Sequence, residues 1–375
     1  MFLSVSPHII PFVPTHHNEP RLVGAGAVGC FYASRMHKEP HILVSLVCRS
    51  NYAAIKANGV TLKTHNFGDY HFYPEYVFNS VQVAAGAKLH WDYVVVTAKA
   101  LPDVSDDSLL VAPVVSEDSS IVLIQNGVGV EEPYRRRFPS NPVLSAVTVV
   151  SAEQVEPGVI RQNRWTRIST GPYTDGLWDS DNEATKLGEA KTAEFVKLLQ
   201  DGGIKDAEIY DERGLQFVRW HKIAVGTLNP QVAFLHSGPR QINGTMNPSA
   251  VLSNGTGNAR MSLDPELRIH LKAGMEEVFR AAEAVLQAPM PKSLATADQI
   301  LKSTERNTSG RPSMLLDWYN GAPMELEVIL GNPVLLARAK GVEMPRLQAM
   351  YALLKMAQTR RDEENTEKKN TQAKL

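Results

Sequence analysis

Cysteine is scarce in this chain of 375 residues, which contains only Cys30 and Cys48. Two thiols form neither a disulfide framework nor a cysteine metal cluster, so we expect a reducing compartment and no metal site. An excess of charge is also lacking, because the formal net charge at pH 7 is −1, and a nucleic-acid partner is therefore not indicated. No apolar run approaches the roughly 18 residues that span a bilayer, and we predict no membrane partner.

Three glycines follow a short apolar run at the spacing G-x-G-x-x-G. The first, Gly24, permits a tight strand-to-helix turn, and the second, Gly26, lets a pyrophosphate approach the backbone. The third, Gly29, allows close packing of the helix on the strand, and the free N–H groups of that helix favour phosphate. The sequence therefore predicts a dinucleotide site at Gly24, Ala25, Gly26, Ala27, Val28 and Gly29.

A second apolar run, Ile42–Val47, leads to Arg49, with Ser50 and Asn51 beside it. NAD-specific sites place Asp or Glu at this distance from the glycines, where the carboxylate binds the ribose diol. A guanidinium attracts a 2′-phosphate instead, so the sequence predicts NADPH as the cofactor. The alternative is an exposed arginine at a strand end that binds no ligand.

Continuous runs of β-branched residues end at polar side chains in two places, Lys99 and Asn126. Such runs are typical of strands buried on both faces of a parallel sheet, whose carboxyl edge binds ligands. After 171–176 the apolar residues recur at helical spacing, interrupted by a predicted loop over 237–262. The predicted fold class is α/β, with an N-terminal Rossmann-type doubly wound sheet followed by a mainly α-helical C-terminal domain. The predicted boundaries are a poorly ordered extension over 1–20, an NADP-binding Rossmann-type domain over 21–176, a helical substrate and catalytic domain over 177–360, and a disordered polar tail over 361–375.

The order of the motifs resembles that of the ketopantoate reductases (2-dehydropantoate 2-reductases), over roughly residues 22–355. The segments that carry the resemblance are 22–29, Arg49, 97–100, 125–127, Trp220–Val225, Asn229–Pro230, Ser313–Asp317 and Glu325. The resemblance implies that the chain is an enzyme that reduces a branched 2-oxo acid with hydride from NADPH. Ketopantoate, reduced to pantoate in pantothenate and coenzyme A biosynthesis, is the implied substrate.

The resemblance also implies a role for each polar residue. Hydride that reaches a keto carbon leaves negative charge on its oxygen, which a lysine ammonium both neutralises and protonates, so Lys222 is the candidate general acid. The implied cofactor contacts besides the glycine turn and Arg49 are Lys99, Asn126 and Glu325. The implied substrate contacts are Asn126, Asn229 and Ser313.

Each of these residues also has a purely structural interpretation. For Lys222 the alternative is an exposed lysine on an amphipathic segment, and for Lys99 a lysine that extends from a strand end to solvent. For Asn126 it is an asparagine that caps a turn, and for Ser313 a serine that caps a helix. For Glu325 it is a carboxylate on a helix surface.

Two departures from the family pattern leave a second function open. Gly226 stands where the family has an asparagine one turn after the lysine. The interval from Lys222 to Asn229 is also one residue short, which turns everything beyond it by about 100° in an α-helix. The alternative function is therefore a diverged NADPH-binding sensor or scaffold, or a reductase of a different keto acid.

The last three residues, Ala373–Leu375, resemble the Ser-Lys-Leu type of peroxisomal address. We predict a cytoplasmic location, with the peroxisome as the alternative. The expected partners are a small-molecule 2-oxo acid and, as an open possibility, a second copy of the chain in a homodimer.

Overall fold

The computed structural model describes residues 20–38, 41–176, 183–225, 245–306 and 312–372. Most of the predicted N-terminal extension lies outside the described residues, and so do Gly226, Asn229 and Ala373–Leu375. Among the residues that are described, no helix is both long enough and apolar enough to cross a bilayer.

One sheet of ten strands occupies the first part of the described chain. Its strands are β1 Pro20–Val23, β2 Ser45–Val47, β3 Val60–Thr64, β4 Gly68–Phe72, β5 Val77–Phe78, β6 Tyr93–Val96, β7 Ser120–Ile124, β8 Val143–Glu156, β9 Val159–Pro172 and β10 Ala207–Ile209. Six of them lie side by side and parallel in the order β5-β2-β1-β6-β7-β8. Numbered along the chain, that is the 3-2-1-4-5-6 order of dinucleotide-binding folds.

The remaining strands extend this parallel sheet on one side. Strand β9 pairs antiparallel with β8, and β3 and β10 both pair parallel with β9. The buried run that predicts β8 ends at Val150, but the strand itself continues in the β8–β9 hairpin to Glu156. From Glu153 to Glu156 the side chains are exposed, so this part of the strand depends on pairing with β9 and leaves no apolar signal.

Helices cover both faces of the parallel strands. They are α1 Ala27–Met36, α2 Tyr52–Asn58, α3 Val81–Gly86, α4 Asp107–Val111, α5 Glu132–Arg137 and α6 Glu183–Asp201, with a 3-10 turn at Ala112–Val114. On one face Phe31, Tyr32 and Phe195 are fully buried, and on the other Trp91 and Tyr134 are buried. Strands β6 and β7 are consequently buried at every residue, as their apolar runs predict.

The rest of the described chain is helical. Its helices are α7 Glu212–Val225, α8 Met246–Leu252, α9 Asn258–Leu263, α10 Pro265–Leu286, α11 Ala297–Thr304, α12 Ser313–Tyr319, α13 Asn332–Ala339 and α14 Pro345–Gln372, with a π-helical turn at Glu327–Gly331. The α10 helix begins where Asp264 accepts the N–H of Leu267 and ends at Gln287, which is left-handed. The predicted α/β class with a helical C-terminal part is confirmed.

Three segments differ from what the sequence predicts. Helix α6 and strand β10 follow the predicted boundary at 176, yet both pack with the sheet. Helices α8 and α9 occupy part of the predicted loop, because fully buried Met246, Ala250 and Met261 bring packing energy that the local glycine and asparagine content conceals. Helix α14 continues to Gln372 in place of the predicted disordered tail, with pairs at helical spacing such as Arg360–Glu364.

Candidate active site

The glycine turn joins β1 to α1 at the carboxyl edge of the sheet. Gly24 has φ +92°, and a Cβ on it would lie 3.0 Å from the backbone nitrogen of Ala98, so this position needs glycine for the protein's own packing. Gly26, at the N-cap of α1, is exposed, and a Cβ there would meet no protein atom within 4 Å. That open space beside the unpaired N–H groups of the first helical turn fits a pyrophosphate.

Hydrogen bonds fix the turn to its neighbours. The side chain of Thr97 donates to the carbonyl oxygen of Gly24, and the N–H of Ala25 donates to Val47 O at 3.2 Å. Buried Asn51 donates Nδ2 to Ala25 O at 2.6 Å and to Gln154 Oε1 at 3.1 Å. Of the other predicted residues of the turn, Ala27 and Val28 are half-buried and Gly29 is buried.

Arg49 lies two residues after β2, with its side chain exposed at the edge that carries the glycine turn. Within the described chain, the positive charge of Arg49 acts on the carboxyl group of Asp107, the first residue of α4. Burial raises the pKa of the Asp107 carboxyl, and the positive charge of Arg49 opposes that shift. The guanidinium is therefore accessible to a phosphate group, and its contact with a 2′-phosphate stays a prediction.

Lys222, Asn126 and Glu325 form one hydrogen-bonded row. Lys222 Nζ donates to Asn126 Oδ1 at 2.9 Å, and Asn126 Nδ2 donates to Glu325 Oε2 at 3.1 Å. The ammonium of Lys222 also donates to Thr148 O at 2.6 Å, and Glu325 Oε1 accepts the N–H of Ala100 at 3.3 Å. Helix α7, the end of β7 and the segment before the π-helical turn thus meet at Asn126.

Burial sets the protonation of both charged members of the row. Lys222 is 9% exposed and Glu325 7%. Burial and, after it, the positive charge of Arg219 lower the pKa of Lys222 to about 8, and the negative charge of Glu325 opposes this shift. Burial likewise raises the pKa of Glu325, and the hydrogen bond from Asn126 opposes this. A lysine that titrates near neutral pH is suited to transfer a proton.

Lys99 and Ser313 both have partners in the helical part. Lys99 forms an ion pair with Asp317 on α12. Ser313 is the first residue of that helix, whose N-cap residue is Pro312, and its Oγ accepts from Nδ2 of fully buried Asn247 at 3.5 Å. Ser313 and Lys99 thus lie toward opposite ends of the short helix α12.

Comparison with known proteins identifies the family. A model of ketopantoate reductase PanE/ApbA matches residues 21–175, and the model of the C-terminal part of the same family matches residues 241–358. The chain belongs to the ketopantoate reductase family. As a member, it is an oxidoreductase that uses a nicotinamide cofactor.

The similarity to three relatives extends over most of this chain and of theirs. The uncharacterized protein YDL144C of Saccharomyces cerevisiae is 28% identical, over 90% of this chain and 93% of its own. A 2-dehydropantoate 2-reductase of Nostoc is 25% identical, over 89% of this chain and 93% of its own. The crystal structure of 2-dehydropantoate 2-reductase from Methylococcus capsulatus is 28% identical, with a TM-score of 0.74, and covers 92% of this chain and 97% of its own.

This ketopantoate reductase family member has buried polar residues beside the candidate site residues that its sequence pattern does not reveal. Arg219, Glu131 and Asn247 are almost completely buried within the helical part or below the sheet edge. One signal was available for Arg219, because it lies three residues before Lys222 and therefore on the same helix face. In the described ranges no group of three or more His, Cys, Asp or Glu side chains is arranged to hold a metal.

Proposed function

We propose that this family member reduces a branched 2-oxo acid with NADPH and that ketopantoate is its substrate, as in pantothenate biosynthesis. The observation that carries the proposal is buried Lys222, which is hydrogen-bonded to Asn126 at the sheet edge that also carries the glycine turn. The bound nicotinamide supplies the hydride. The first turn of α1 binds the pyrophosphate and Arg49 binds the 2′-phosphate.

Lys222 then supplies the proton. Two of its three ammonium N–H groups are directed to Asn126 Oδ1 and Thr148 O, so the third is available to the substrate oxygen. With a pKa of about 8, the side chain is mostly protonated at neutral pH and loses its proton at small cost. Its positive charge also stabilises the negative charge that hydride transfer places on that oxygen.

The substrate carboxylate lies toward α12 in this proposal. Ser313 presents its hydroxyl at the start of that helix, and the amide of Asn247 is hydrogen-bonded to it. The Ser313 hydroxyl accepts from Asn247 and donates to the carboxylate, whereas Asn247 itself is fully buried and holds the serine. The contact expected from Asn229 lies outside the described residues and stays a prediction, as do the cytoplasmic location, the peroxisomal alternative and the homodimer.

A test follows NADPH absorbance in the presence of ketopantoate and of 2-oxo acids with shorter or unbranched side chains. We expect consumption of NADPH that depends on a keto acid and is fastest with ketopantoate. The Lys222→Ala variant is the control, because it removes the proton donor without touching the glycine turn. If wild type binds NADPH but consumes none with any keto acid, the proposed reductase function is wrong. The result then favours the alternative that Gly226 suggests, an NADPH-binding sensor.

A further inference from the structure

Arg219 and Glu131 form an ion pair beneath the active site. Their side chains are 2% and 1% exposed, and Arg219 Nε lies 2.9 Å from Glu131 Oε1. Glu131 also accepts from Ser145 Oγ at 2.6 Å and from Gln216 Nε2 at 3.0 Å. Burying two charges in this way costs solvation that an apolar pair of similar volume would not cost, so stability alone gives little reason for the pair.

The guanidinium of Arg219 clamps the backbone on both sides of Asn126. Its Nη1 donates to the carbonyl oxygens of Gln125 and Gly127, in each case at 2.8 Å, and its Nη2 donates to Ser145. The carbonyl groups of the two residues next to Asn126, one on each side, are therefore fixed by one rigid, planar group. Asn126 is the residue that accepts from Lys222, so any tilt of this backbone changes where the ammonium is held.

Arg219 also lies one helical turn before Lys222 on α7. A permanent positive charge at that distance disfavours the protonated form of a lysine, and this effect acts in the same direction as burial. The other charge that acts on Lys222 is that of Glu325, in the opposite direction. The hydroxyl of Tyr32 contacts the side chain of Thr148, whose carbonyl oxygen accepts from Lys222. Glu131 lies behind Arg219.

We propose that Arg219, held by Glu131, is a positioning residue that orients Asn126 through its two flanking carbonyls and places a fixed positive charge beside Lys222. The inference rests on the proposed reductase function. It assigns to the buried pair a catalytic consequence in addition to its contribution to folding.

Two variants separate the two effects of Arg219. Arg219→Lys keeps the charge opposite Glu131 but loses the planar group that reaches both carbonyls, so we expect kcat to fall about tenfold or more with the pH profile unchanged. The double variant Arg219→Met with Glu131→Gln removes the charge as well. In that variant we also expect the alkaline limb of kcat/KM to move upward from its position near pH 8.

The matched control is the double variant Arg346→Met with Glu277→Gln. Glu277 is also 1% exposed and accepts from Arg346 Nη1 at 2.9 Å, but this pair joins α10 to α14 and shares no partner with Asn126 or Lys222. The control should lower Tm and leave kcat and the alkaline limb as in wild type. If the Arg219 double variant does the same, the pair is merely structural and the inference is wrong.

A titration that needs no turnover distinguishes this inference from the proposed function. Lysine labelled with ¹³C at Cε reports the protonation of Lys222 by NMR, with the signal assigned by its loss in Lys222→Ala. The pKa of Lys222 should rise in the Arg219 double variant and stay near wild type in Arg219→Lys. If wild type reduces no keto acid but this shift occurs, the proposed function fails and the charge effect stands; an unchanged pKa overturns the inference in an active or inactive protein.

Discussion

Asn126 donates its side-chain amide to Glu325 across the boundary between the sheet and the helical part, at 3.1 Å. A carboxylate only accepts, so it binds the NH₂ end of the amide and leaves the oxygen of Asn126 directed to Lys222. A backbone hydrogen bond close by joins the sheet to the helical part as well, since the N–H of Val128 donates to Val328 O at 2.8 Å. Glu325 therefore fixes the orientation of the Asn126 amide that binds the lysine, in addition to the direct effect of its charge on Lys222.

Replacing Lys222 by alanine should remove turnover and leave NADPH binding intact. A general acid contributes about 10²- to 10⁴-fold to rate, and its loss appears in kcat because the proton moves in the transition state. We expect kcat to fall within that range and the Kd for NADPH to change by less than about threefold, a margin below 1 kcal/mol. A variant that keeps more than about a tenth of wild-type kcat would show that another group is the acid.

The pH dependence of the wild-type enzyme follows from the same lysine. Its folded-state pKa is depressed from 10.5 to about 8, so the protonated donor is lost as pH rises through that value. Reduction should therefore slow above about pH 8, although an unperturbed lysine would stay protonated for two further pH units. Measuring kcat/KM from pH 6 to 10 with a mixed buffer of constant ionic strength checks this (about four decades of proton concentration around the pKa).

Glu325→Gln should move that alkaline limb in the opposite direction from the double variant Arg219→Met with Glu131→Gln. The negative charge of Glu325 raises the pKa of Lys222, so its neutralisation lowers that pKa and shifts the limb to lower pH. Glu327→Gln is the control, because Glu327 binds Tyr351 and Lys355 on α14 and does not contact Asn126. An alkaline limb that stays in place in Glu325→Gln would mean that its charge does not reach the lysine.

The elements that the sequence predicts correctly depend on short-range signals. The glycine turn needs particular backbone conformations within eight residues, and strands β6 and β7 are buried on both faces, so each shows as an uninterrupted apolar run. Lys222 is recognisable as a candidate, whose catalytic role stays a prediction, because it stands between Trp220 and an apolar segment. In each case the neighbours along the chain carry the information.

The features that the sequence does not reveal depend on partners far away along the chain. Arg219 pairs with Glu131, which is 88 positions earlier, and Asn247 meets Ser313 across a gap of 66. The outer half of β8 is polar and exposed, so its strand conformation follows from pairing with β9. Helices α8 and α9 likewise form against the core of the helical part, whatever their own propensity.

Arg49→Ala should remove most of the preference for NADPH over NADH. A charge-assisted hydrogen bond contributes about 1.5–3 kcal/mol, which is roughly ten- to a hundredfold in affinity. Wild type should therefore bind NADPH at least about tenfold more tightly than NADH, and the variant should lose affinity for NADPH alone. Lys56→Ala removes one exposed positive charge from the neighbouring helix α2 and is the control. Equal affinities of wild type for the two cofactors would show that Arg49 has no phosphate partner.

Gly127→Ala should both destabilise the fold and impair catalysis. Gly127 has φ +93°, and a Cβ on it would lie 2.4 Å from Val328 Cβ and 2.6 Å from Val328 O, much closer than atoms can pack. The sheet edge and the π-helical turn would have to separate there, which displaces the neighbouring Asn126 and the carbonyl that Arg219 binds. We expect kcat to fall about a hundredfold, since a misplacement of about 1 Å at a reacting group can cost this much.

Gly68→Ala separates this clash from backbone strain. Gly68 also has a positive φ, +71°, but a Cβ there would meet nothing within 4 Å, so its replacement costs only the left-handed backbone, about 1–2 kcal/mol. Denaturant unfolding of both variants should show a larger loss of unfolding free energy for Gly127→Ala, while Gly68→Ala keeps wild-type kcat. Equal losses of stability, with kcat retained in both, would mean that Val328 yields and that the junction at Asn126 does not require close contact.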